Sequence, residues 1–368
     1  MSKQTNWPHF IALQAQVVPL SLGMPGTAKT AVHRALADAT GRRFIPLMLD
    51  QLLPEDLSGI PVPQTIKLGD RDVGCIQRLL DEGLVRAMHE PCIILVDELT
   101  NASHSLQAAA LQLINEPPPG CWMAAAANPV PQAANGVDLA PPMVNRLCVL
   151  EWQWHNDERR QGWRNGFRNY PTPQLPIVPE DFLEVCGPAW GGLLCECEDR
   201  FPKMFSEDAY PEDAAEASKP WPSPRSWTNV GRLLSACDAA GGNAGTRHEL
   251  IKGCVGEAAC TQFEQFIVSL NLPDPEALLA QPHTLKLPAR FDLAKAIIGS
   301  VLGRVRADCT PNRWEACYDL LEMAFEQQPE TAMASEGTLI KIKPQNHMPK
   351  IRKSAAAVEM RKIRLGQA

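Results

Sequence analysis

Eight residues, Gly23-Met-Pro-Gly-Thr-Ala-Lys-Thr30, constrain the fold of this chain more than any other segment. They follow an apolar run that predicts a strand, and they open an amphipathic stretch that predicts a helix. Glycines allow the backbone to turn so that successive N–H groups point inward, and the N-terminus of the following helix adds positive potential. A strand, a glycine-containing turn and a helix in this order predict an α/β fold with a phosphate-binding loop.

The end of this loop carries two side chains suited to a magnesium-bound triphosphate. We expect the Lys29 ammonium to reach the β and γ phosphates and the Thr30 hydroxyl to ligate Mg²⁺. The common form of the motif has glycine directly before the lysine, whereas this chain has Ala28. A glycine turn before a helix with a surface lysine is the alternative interpretation. The predicted nucleotide-binding residues of the loop are Gly23, Pro25, Gly26, Thr27, Ala28, Lys29 and Thr30.

A second segment, Ile93-Ile-Leu-Val-Asp-Glu98, is an apolar run that ends in two acidic residues. Buried parallel strands have continuous apolar sequences, and ligand sites form at their carboxyl ends. Asp97 is therefore the candidate to hold Mg²⁺ through its water shell. Glu98 is the candidate general base that polarises the attacking water. Surface acids after a buried strand are the alternative.

Apolar runs and amphipathic stretches alternate over residues 1–150, a pattern typical of an α/β domain with a mainly parallel sheet flanked by helices. The prolines and glycine of residues 57–64 predict a loop or β-hairpin. We predict five strands, near residues 17–22, 44–49, 92–96, 121–126 and 147–151, and helices over 29–40, 77–88 and 105–114. Helical periodicity predicts an all-α second domain, with helices over residues 226–237, 248–270, 292–306 and 313–327.

These patterns divide the chain into four parts. We predict an α/β nucleotide-binding core over 1–152, a connector rich in Trp, Pro and acidic residues over 153–219, of which residues 206–218 are exposed, a helical domain over 220–330 and a basic tail over 331–368. The tryptophans Trp152, Trp154 and Trp163 are expected to pack at the domain junction, and an exposed pair that anchors a partner is the alternative. The tail has eight cationic residues between Lys341 and Arg364 against one acid. A solvated tail and a contact with nucleic acid or an acidic partner are both open interpretations.

Composition limits the class of protein. A formal net charge of -7 argues against a chain-wide attraction to nucleic acid or anionic membranes. No apolar run approaches the roughly 18 residues that a membrane span needs, and the first residues lack the pattern of a secretory signal. Twelve cysteines at irregular positions, in a chain with 45% hydrophobic residues, favour reduced thiols and a cytoplasmic location.

Cysteine spacing predicts no metal site. Cys195-Glu-Cys197 lacks a second pair of metal-ligating residues nearby, and structural zinc needs four ligands. Cys254 and Cys260 lie on a helical pattern, and we interpret them as small buried hydrophobic residues.

The glycine-containing loop at residues 23–30 and the apolar strand at residues 93–98 that ends in two acids resemble the AAA+ ATPase superfamily. Their details resemble its MoxR-like branch. The loop of that branch is similar, with the sequence GxPGxAKT and alanine before the lysine, so Ala28 fits the resemblance. Pro54-Glu-Asp-Leu-Ser-Gly59 resembles the stretch that these proteins place before an insertion at their second helix. The resemblance covers most of residues 17–150 and returns at about 221–234.

The resemblance implies roles for three further residues. Asn128 matches the sensor 1 position, where a carboxamide orients the hydrolytic water or contacts the γ phosphate. Arg146 matches an arginine finger that acts on the nucleotide of a neighbouring subunit. Arg225 matches the sensor 2 arginine of the helical lid, which contacts the γ phosphate. The respective alternatives are an Asn-Pro turn, a structural salt bridge and an exposed arginine at a helix N-terminus.

The resemblance also implies an activity. It implies hydrolysis of ATP with Mg²⁺ in a homo-oligomeric ring, expected to be a hexamer, that remodels a partner protein, often one with a von Willebrand A-like domain. A nucleotide-dependent assembly scaffold is the first alternative, and a nucleic-acid motor that uses the basic tail is the second. We expect no membrane partner.

Overall fold

Residues 6–153, 160, 163–164 and 173–366 are described by a computed structural model of the chain. The chain divides into two units. The first comprises residues 1–175 and 210–221, and the second comprises residues 176–209 and 222–368.

A parallel sheet flanked by helices forms the first unit. Its strands are β1 Val18–Leu22, β2 Arg43–Met48, β3 Ile60–Leu68, β4 Arg71–Leu79, β5 Cys92–Asp97, β6 Trp122–Ala127 and β7 Leu147–Glu151. Its helices are α1 Trp7–Gln14, α2 Lys29–Ala39, α3 Pro54–Ser58, α4 Glu82–Ala87, α5 His104–Asn115, α6 Pro141–Val144 and α8 Ala214–Ala217. Five of the strands pair in parallel in the order β2–β5–β6–β1–β7, so the predicted fold class is confirmed.

Strand β5 shows why this sheet has continuous apolar strands. Ile94 and Val96 belong to an apolar layer that also contains Leu106 of α5. Ile93 and Leu95 point to the opposite layer, with Val32 and Leu36 of α2. Because side chains alternate along a strand, both faces of β5 are buried, and each such side chain contributes about 1.5–3 kcal/mol. The carboxyl end of β5 is thereby fixed between two helical layers.

The segment between β2 and β5 corrects one predicted helix. Residues 60–68 and 71–79 form an antiparallel hairpin, so the loop or hairpin expected at 57–64 is confirmed and extends further along the chain. The helix predicted over 77–88 is wrong for its first part, because residues 77–79 belong to β4. Helix α4 begins only after Asp81, whose side chain accepts a hydrogen bond from the Gly83 amide at 2.7 Å.

One pair of cysteines differs from the predicted reduced state. Cys92 lies at the start of β5 and Cys121 directly precedes β6, with 4.8 Å between their Cα atoms, and the two are joined as a disulfide. The register of the parallel strands places the two residues side by side, since Ile93 pairs with Trp122. The other ten cysteines are free thiols.

The second unit is helical, as predicted. It contains α7 Phe182–Arg200, α9 Pro224–Ala239, α10 Ala244–Ser269, α11 Pro275–Ala280, α12 Phe291–Ala307, α13 Pro311–Gln327, α14 Pro329–Lys341 and α15 Ala355–Arg364. Within the residues that the structure describes, no helix combines the length and apolar composition needed to cross a bilayer.

Helix α7 corrects the predicted connector over 153–219. This helix packs against α9 and α12, so residues 182–200 belong to the second unit and not to a connector. The approach to α12 is close, because a Cβ on Gly299 would lie 2.6 Å from the Cβ of Ala189. The residues of the predicted connector that include Trp154 lie outside the described part of the chain.

The C-terminal region also differs from prediction. Residues 331–368 were expected to form a basic tail, but α14 and α15 pack against α13. Arg352 forms ion pairs with three carboxylates of α13, at 2.5 Å to Glu315 and 2.8 Å to both Asp319 and Glu322. These ion pairs explain the difference, because acids of α13 neutralise a cation for which the sequence alone indicates no partner.

Candidate functional site

The loop between β1 and α2 adopts two left-handed backbone conformations. Gly26 has φ of 73° and Ala28 has φ of 64°. A left-handed conformation costs an L-residue roughly 1–2 kcal/mol, whereas glycine adopts it freely. Ala28 therefore occupies a backbone position that favours glycine, which is the residue that the common motif has there.

Trp152 contacts this loop and the end of β1. Its indole N–H donates to the Thr27 carbonyl at 2.9 Å, and its backbone N–H donates to the Leu22 carbonyl at 2.7 Å. A Cβ on Gly23 would lie only 2.8 Å from the Cβ of Trp152, so the first loop position has no room for a side chain. Trp152 was expected only to pack at the domain junction, and Trp163 is 62% exposed. No motif links Trp152 to a loop 125 residues earlier.

Two buried histidines complete the support of the loop. The His33 ring stacks on Trp152 with 6.0 Å between centroids, and His9 meets the same indole edge-on at 5.1 Å. His33 Nδ1 lies 2.8 Å from the Lys29 carbonyl, which can only accept, so Nδ1 carries a proton. Burial lowers the pKa of His33 and lowers the pKa of His9 to about 3. Both rings are therefore neutral near pH 7.

Lys29 donates hydrogen bonds to neutral oxygen atoms of its own loop and of Asn128. Its Nζ donates to the carbonyls of Gly23 at 2.7 Å and Met24 at 3.0 Å, and to Oδ1 of Asn128 at 2.9 Å. Burial lowers the pKa of Lys29, and this effect is opposed by the charges of Asp97 and Glu98. The ammonium thus lies at the centre of the site, where the loop curves round it.

The two predicted magnesium ligands are in contact. Thr30 Oγ1 donates to Oδ2 of Asp97 at 2.6 Å, and the second oxygen of Asp97 accepts from the Glu98 amide at 2.9 Å. Asp97 is buried at the carboxyl end of β5. A hydroxyl and a carboxylate are the oxygen ligands that Mg²⁺ takes, so these residues fit the ion that the sequence implies.

Glu98 has the environment of a general base. Its backbone is left-handed, with φ of 59°. Oε2 accepts from the side-chain amides of Asn101 at 2.6 Å and Asn128 at 3.2 Å. Burial raises the pKa of Glu98, and the charges of Asp97 and Asp50 raise it further. A raised pKa brings a carboxylate nearer the basicity that proton abstraction requires.

Asn128 connects the cation to this base. Its carboxamide oxygen accepts from Lys29 and its nitrogen donates to Glu98, and its backbone carbonyl accepts from Thr100 Oγ1 at 2.8 Å. The position follows directly from the fold, because Asn128 comes immediately after β6, which lies between β5 and β1. A carboxamide can make both bonds at once, since it has one acceptor and one donor end.

The structure thus brings five of the predicted site residues to one edge of the sheet, namely Lys29, Thr30, Asp97, Glu98 and Asn128. The remaining loop positions, including Pro25, lie between β1 and α2. Their roles in binding and hydrolysis stay predictions.

The two predicted arginines contact other groups. Arg146 lies after α6, and its guanidinium donates to the Asn115 side chain and to the Pro142 carbonyl. Arg225 is exposed in the first turn of α9, between Ser223 and Ser226, which form the capping box of this helix. Their proposed contacts with nucleotide therefore remain untested expectations.

One family model and one solved structure are similar to parts of this chain. Residues 20–120 match the family model described as an AAA domain of the dynein-related subfamily. A solved structure, that of a "putative ATPase" from Cytophaga hutchinsonii ATCC 33406, is similar at 17% sequence identity and a TM-score of 0.44, covering 70% of this chain and 86% of that chain. No curated protein matches the chain. Residues 20–120 of the α/β unit are therefore similar to an AAA domain, and this similarity supports a nucleotide-dependent ATPase activity.

Proposed function

We propose that this chain is a MoxR-like AAA+ ATPase that assembles into a ring and couples Mg-ATP hydrolysis to the remodelling of a partner protein. The observation that carries the proposal is the double contact of Asn128, which bonds to both Lys29 and Glu98. This contact links the phosphate-binding cation to the candidate base. A site that only bound nucleotide would not need that link. Ten free thiols are consistent with work in the cytoplasm.

The residues of the loop would hold the triphosphate. Lys29 exchanges the Gly23 and Met24 carbonyls for phosphate oxygens, which carry full charge and bind an ammonium more strongly. Thr30 and Asp97 hold Mg²⁺, which, when bound, neutralises charge on the β and γ phosphates. On this proposal, nucleotide binding breaks the hydrogen bonds that Lys29 donates to the carbonyls of Gly23 and Met24.

Glu98 and Asn128 would then act on the water. Glu98 accepts the proton as the water oxygen attacks the γ phosphorus, and the bond to the β–γ bridging oxygen breaks to release ADP and phosphate. Asn128 fixes the Glu98 carboxylate by its 3.2 Å hydrogen bond and contacts the attacking water or the γ phosphate. Arg146 of a neighbouring subunit stabilises the charge that develops, and Arg225 reports nucleotide state to the helical unit.

A subunit-mixing experiment tests the ring. Lys29→Ala removes the nucleotide site of its own subunit, and Arg146→Ala removes the arginine that a subunit supplies to its neighbour. Each variant alone should be inactive, but mixed rings contain interfaces with an intact Lys29 on one side and an intact Arg146 on the other. We expect steady-state ATPase activity to reappear on mixing. A mixture that stays inactive, although both variants assemble, would contradict action in trans.

A trapped variant tests the partner. Glu98→Gln should retain Mg-ATP binding and lower turnover by about 10²–10⁴-fold, the usual contribution of a general base. Proteins that co-purify with Glu98→Gln in ATP, and not with Lys29→Ala, are candidate clients. A purified client should then raise the ATPase rate of the unmodified chain.

The same measurement separates the proposal from an assembly scaffold, which would turn over slowly and gain little from a client. The nucleic-acid alternative loses two of the cations on which it depends, because Arg352 and Arg364 are engaged with carboxylates of the same unit. A remodelling ATPase is therefore the function that the described contacts favour.

A further inference from the structure

Helix α10 of the second unit is broken at Gly256. This residue has φ of 81° and ψ of 169°, values outside the helical region that glycine adopts without strain. The break divides α10 into two arms, residues 244–255 and 257–269. Lys252 and Glu257, on either side of the break, form an ion pair at 3.1 Å.

The break brings together residues that a continuous helix would hold apart. His248 and Glu264 are 16 positions apart, yet His248 Nδ1 lies 3.1 Å from Oε2 and 3.2 Å from Oε1 of Glu264. At a rise of 1.5 Å per residue, 16 positions of unbroken helix span about 24 Å. The Cys260 Sγ lies 3.6 Å from the same histidine nitrogen. Three residues from the two arms therefore meet at one point.

Two of the three separations between the ligand atoms are close to those of a tetrahedral metal site. One ligand atom from each of His248, Cys260 and Glu264 lies within 4.8 Å of the others. Typical Zn–S and Zn–N bond lengths at a tetrahedral angle separate sulfur from nitrogen by about 3.6 Å, and nitrogen from oxygen by about 3.3 Å. The observed separations of 3.6 Å and 3.1–3.2 Å are close to both values.

The contacts do not have the pattern of a nucleophile with its base. In such an arrangement the nucleophile and the orienting carboxylate use different nitrogens of the histidine ring, so that a proton can pass from one side to the other. Here Cys260 and Glu264 both approach Nδ1 of His248. Convergence of three donor atoms on one point is instead what coordination to a shared ion requires.

Burial and access also fit a metal. Cys260 is fully buried, whereas the side chains of His248 and Glu264 are 33% and 40% exposed. The sulfur thus forms the closed inner side of the cluster, and an ion can enter from the side of the imidazole and carboxylate. Nitrogen, thiolate and carboxylate ligands together favour Zn²⁺ over Mg²⁺ or Ca²⁺, which prefer oxygen ligands alone.

We propose that His248, Cys260 and Glu264 form a Zn²⁺ site in the helical unit, with a fourth position for water, that clips the two arms of α10 together. The site is separate from the nucleotide site and does not depend on the function proposed above. Sequence spacing gives no sign of it, because the ligands are 12 and 16 residues from His248 and no paired motif is present.

Zinc titration of the full chain tests the proposal. The protein is treated with a chelator under reducing conditions, dialysed, and titrated with Zn²⁺ against a chromophoric competitor. We expect one tightly bound Zn²⁺ per chain and a rise in Tm on binding, since an ion bound only by the folded state stabilises it. With Co²⁺ in place of Zn²⁺, a thiolate-to-metal charge-transfer band should report the Cys260 ligand. An unchanged Tm and no binding would overturn the proposal.

Matched variants identify the ligands. Glu264→Gln, His248→Ala and Cys260→Ser should each lower Zn²⁺ affinity by more than about 100-fold, because even residues that only support ligands alter affinity by 10–100-fold. Glu249→Gln, on the same helix, and Cys195→Ser, at an exposed cysteine, should bind as the unmodified chain does. Glu264→Gln changes a partly exposed side chain and should fold normally.

Two outcomes would show that any binding is adventitious. One is full retention of affinity in Glu264→Gln and Cys260→Ser, and the other is an equal loss in Cys195→Ser. Lys29→Ala should keep the Zn²⁺ site intact, which distinguishes failure of this site from failure of the nucleotide site.

Discussion

The two units bury a cation in opposite ways. In the α/β unit, Lys29 is bonded to two carbonyls and one carboxamide, all of them neutral. In the helical unit, Arg352 is bonded to three carboxylates. Lys29 can exchange its neutral acceptors for phosphate oxygens, which bind an ammonium more strongly because they are charged. Arg352 is already paired with three negative charges, so it gains little from a further anion. Buried charge therefore indicates a ligand site only where the partners of that charge are exchangeable.

The largest expected effect is the loss of Lys29. Lys29→Ala removes about two charge-assisted hydrogen bonds to phosphate, each contributing roughly 1.5–3 kcal/mol, so Mg-ATP affinity should fall by about 10²–10⁴-fold. Isothermal titration calorimetry measures this change. Lys67→Ala, on the exposed hairpin strand β3, is the control and should bind normally. Undiminished binding by Lys29→Ala would remove the basis of the comparison.

Arg352→Ala tests the other half of the comparison. It leaves Glu315 and Glu322 buried without their cation, and breaking a buried ion pair costs roughly 3–5 kcal/mol. Denaturant unfolding, followed by a probe in the helical unit, should report this loss. ATP affinity should not change. An Arg352→Ala protein as stable as the unmodified chain would show that the three carboxylates do not need the guanidinium.

The elements that the sequence predicts well are those defined by local patterns. The run Ile93 to Asp97 indicates a strand buried on both faces, and the resemblance to AAA+ ATPases implies that Asn128 ends another strand of the same sheet. Elements that depend on distant partners were missed. The acids that hold Arg352 lie more than 29 residues earlier, on α13, and no periodicity within residues 331–368 reveals them.

Site residues follow the same division. Lys29, Thr30, Asp97 and Glu98 stand in two short motifs, so their proximity could be predicted from the ends of parallel strands. Trp152 supports the loop through a single hydrogen bond and a close approach to Gly23, and these depend on the packing of β7 beside β1. The cluster around His248 depends on one glycine conformation, which a helical pattern conceals.

One tryptophan in each unit allows a matched comparison of the two units, and we expect the effects of substituting them to be intermediate in size. The Trp152 indole donates to the Thr27 carbonyl, and the Trp190 indole donates to the Asp238 carboxylate, each at 2.9 Å. Phenylalanine at either position removes one hydrogen bond and should lower stability by about 1–3 kcal/mol. Only Trp152→Phe should also weaken Mg-ATP binding, by roughly fivefold, because its partner belongs to the phosphate-binding loop. Equal ATP affinities in the two variants would show that Trp152 only packs.

The smallest expected effect concerns the pH dependence of hydrolysis. Burial raises the pKa of Glu98, with further contributions from the charges of Asp97 and Asp50. A general base works only when deprotonated, so turnover should fall on acidification at a pH above that expected for an ordinary glutamate. Asp50→Asn removes one of the charges that raise this pKa, and Asp50 is exposed, so the substitution should not disturb folding. The acidic limb of the kcat profile should therefore move to lower pH. Asp72→Asn, on the hairpin strand β4, should leave it in place. A shift in the opposite direction would mean that a group other than Glu98 takes the proton, and the general base of the α/β unit would have to be assigned to another residue.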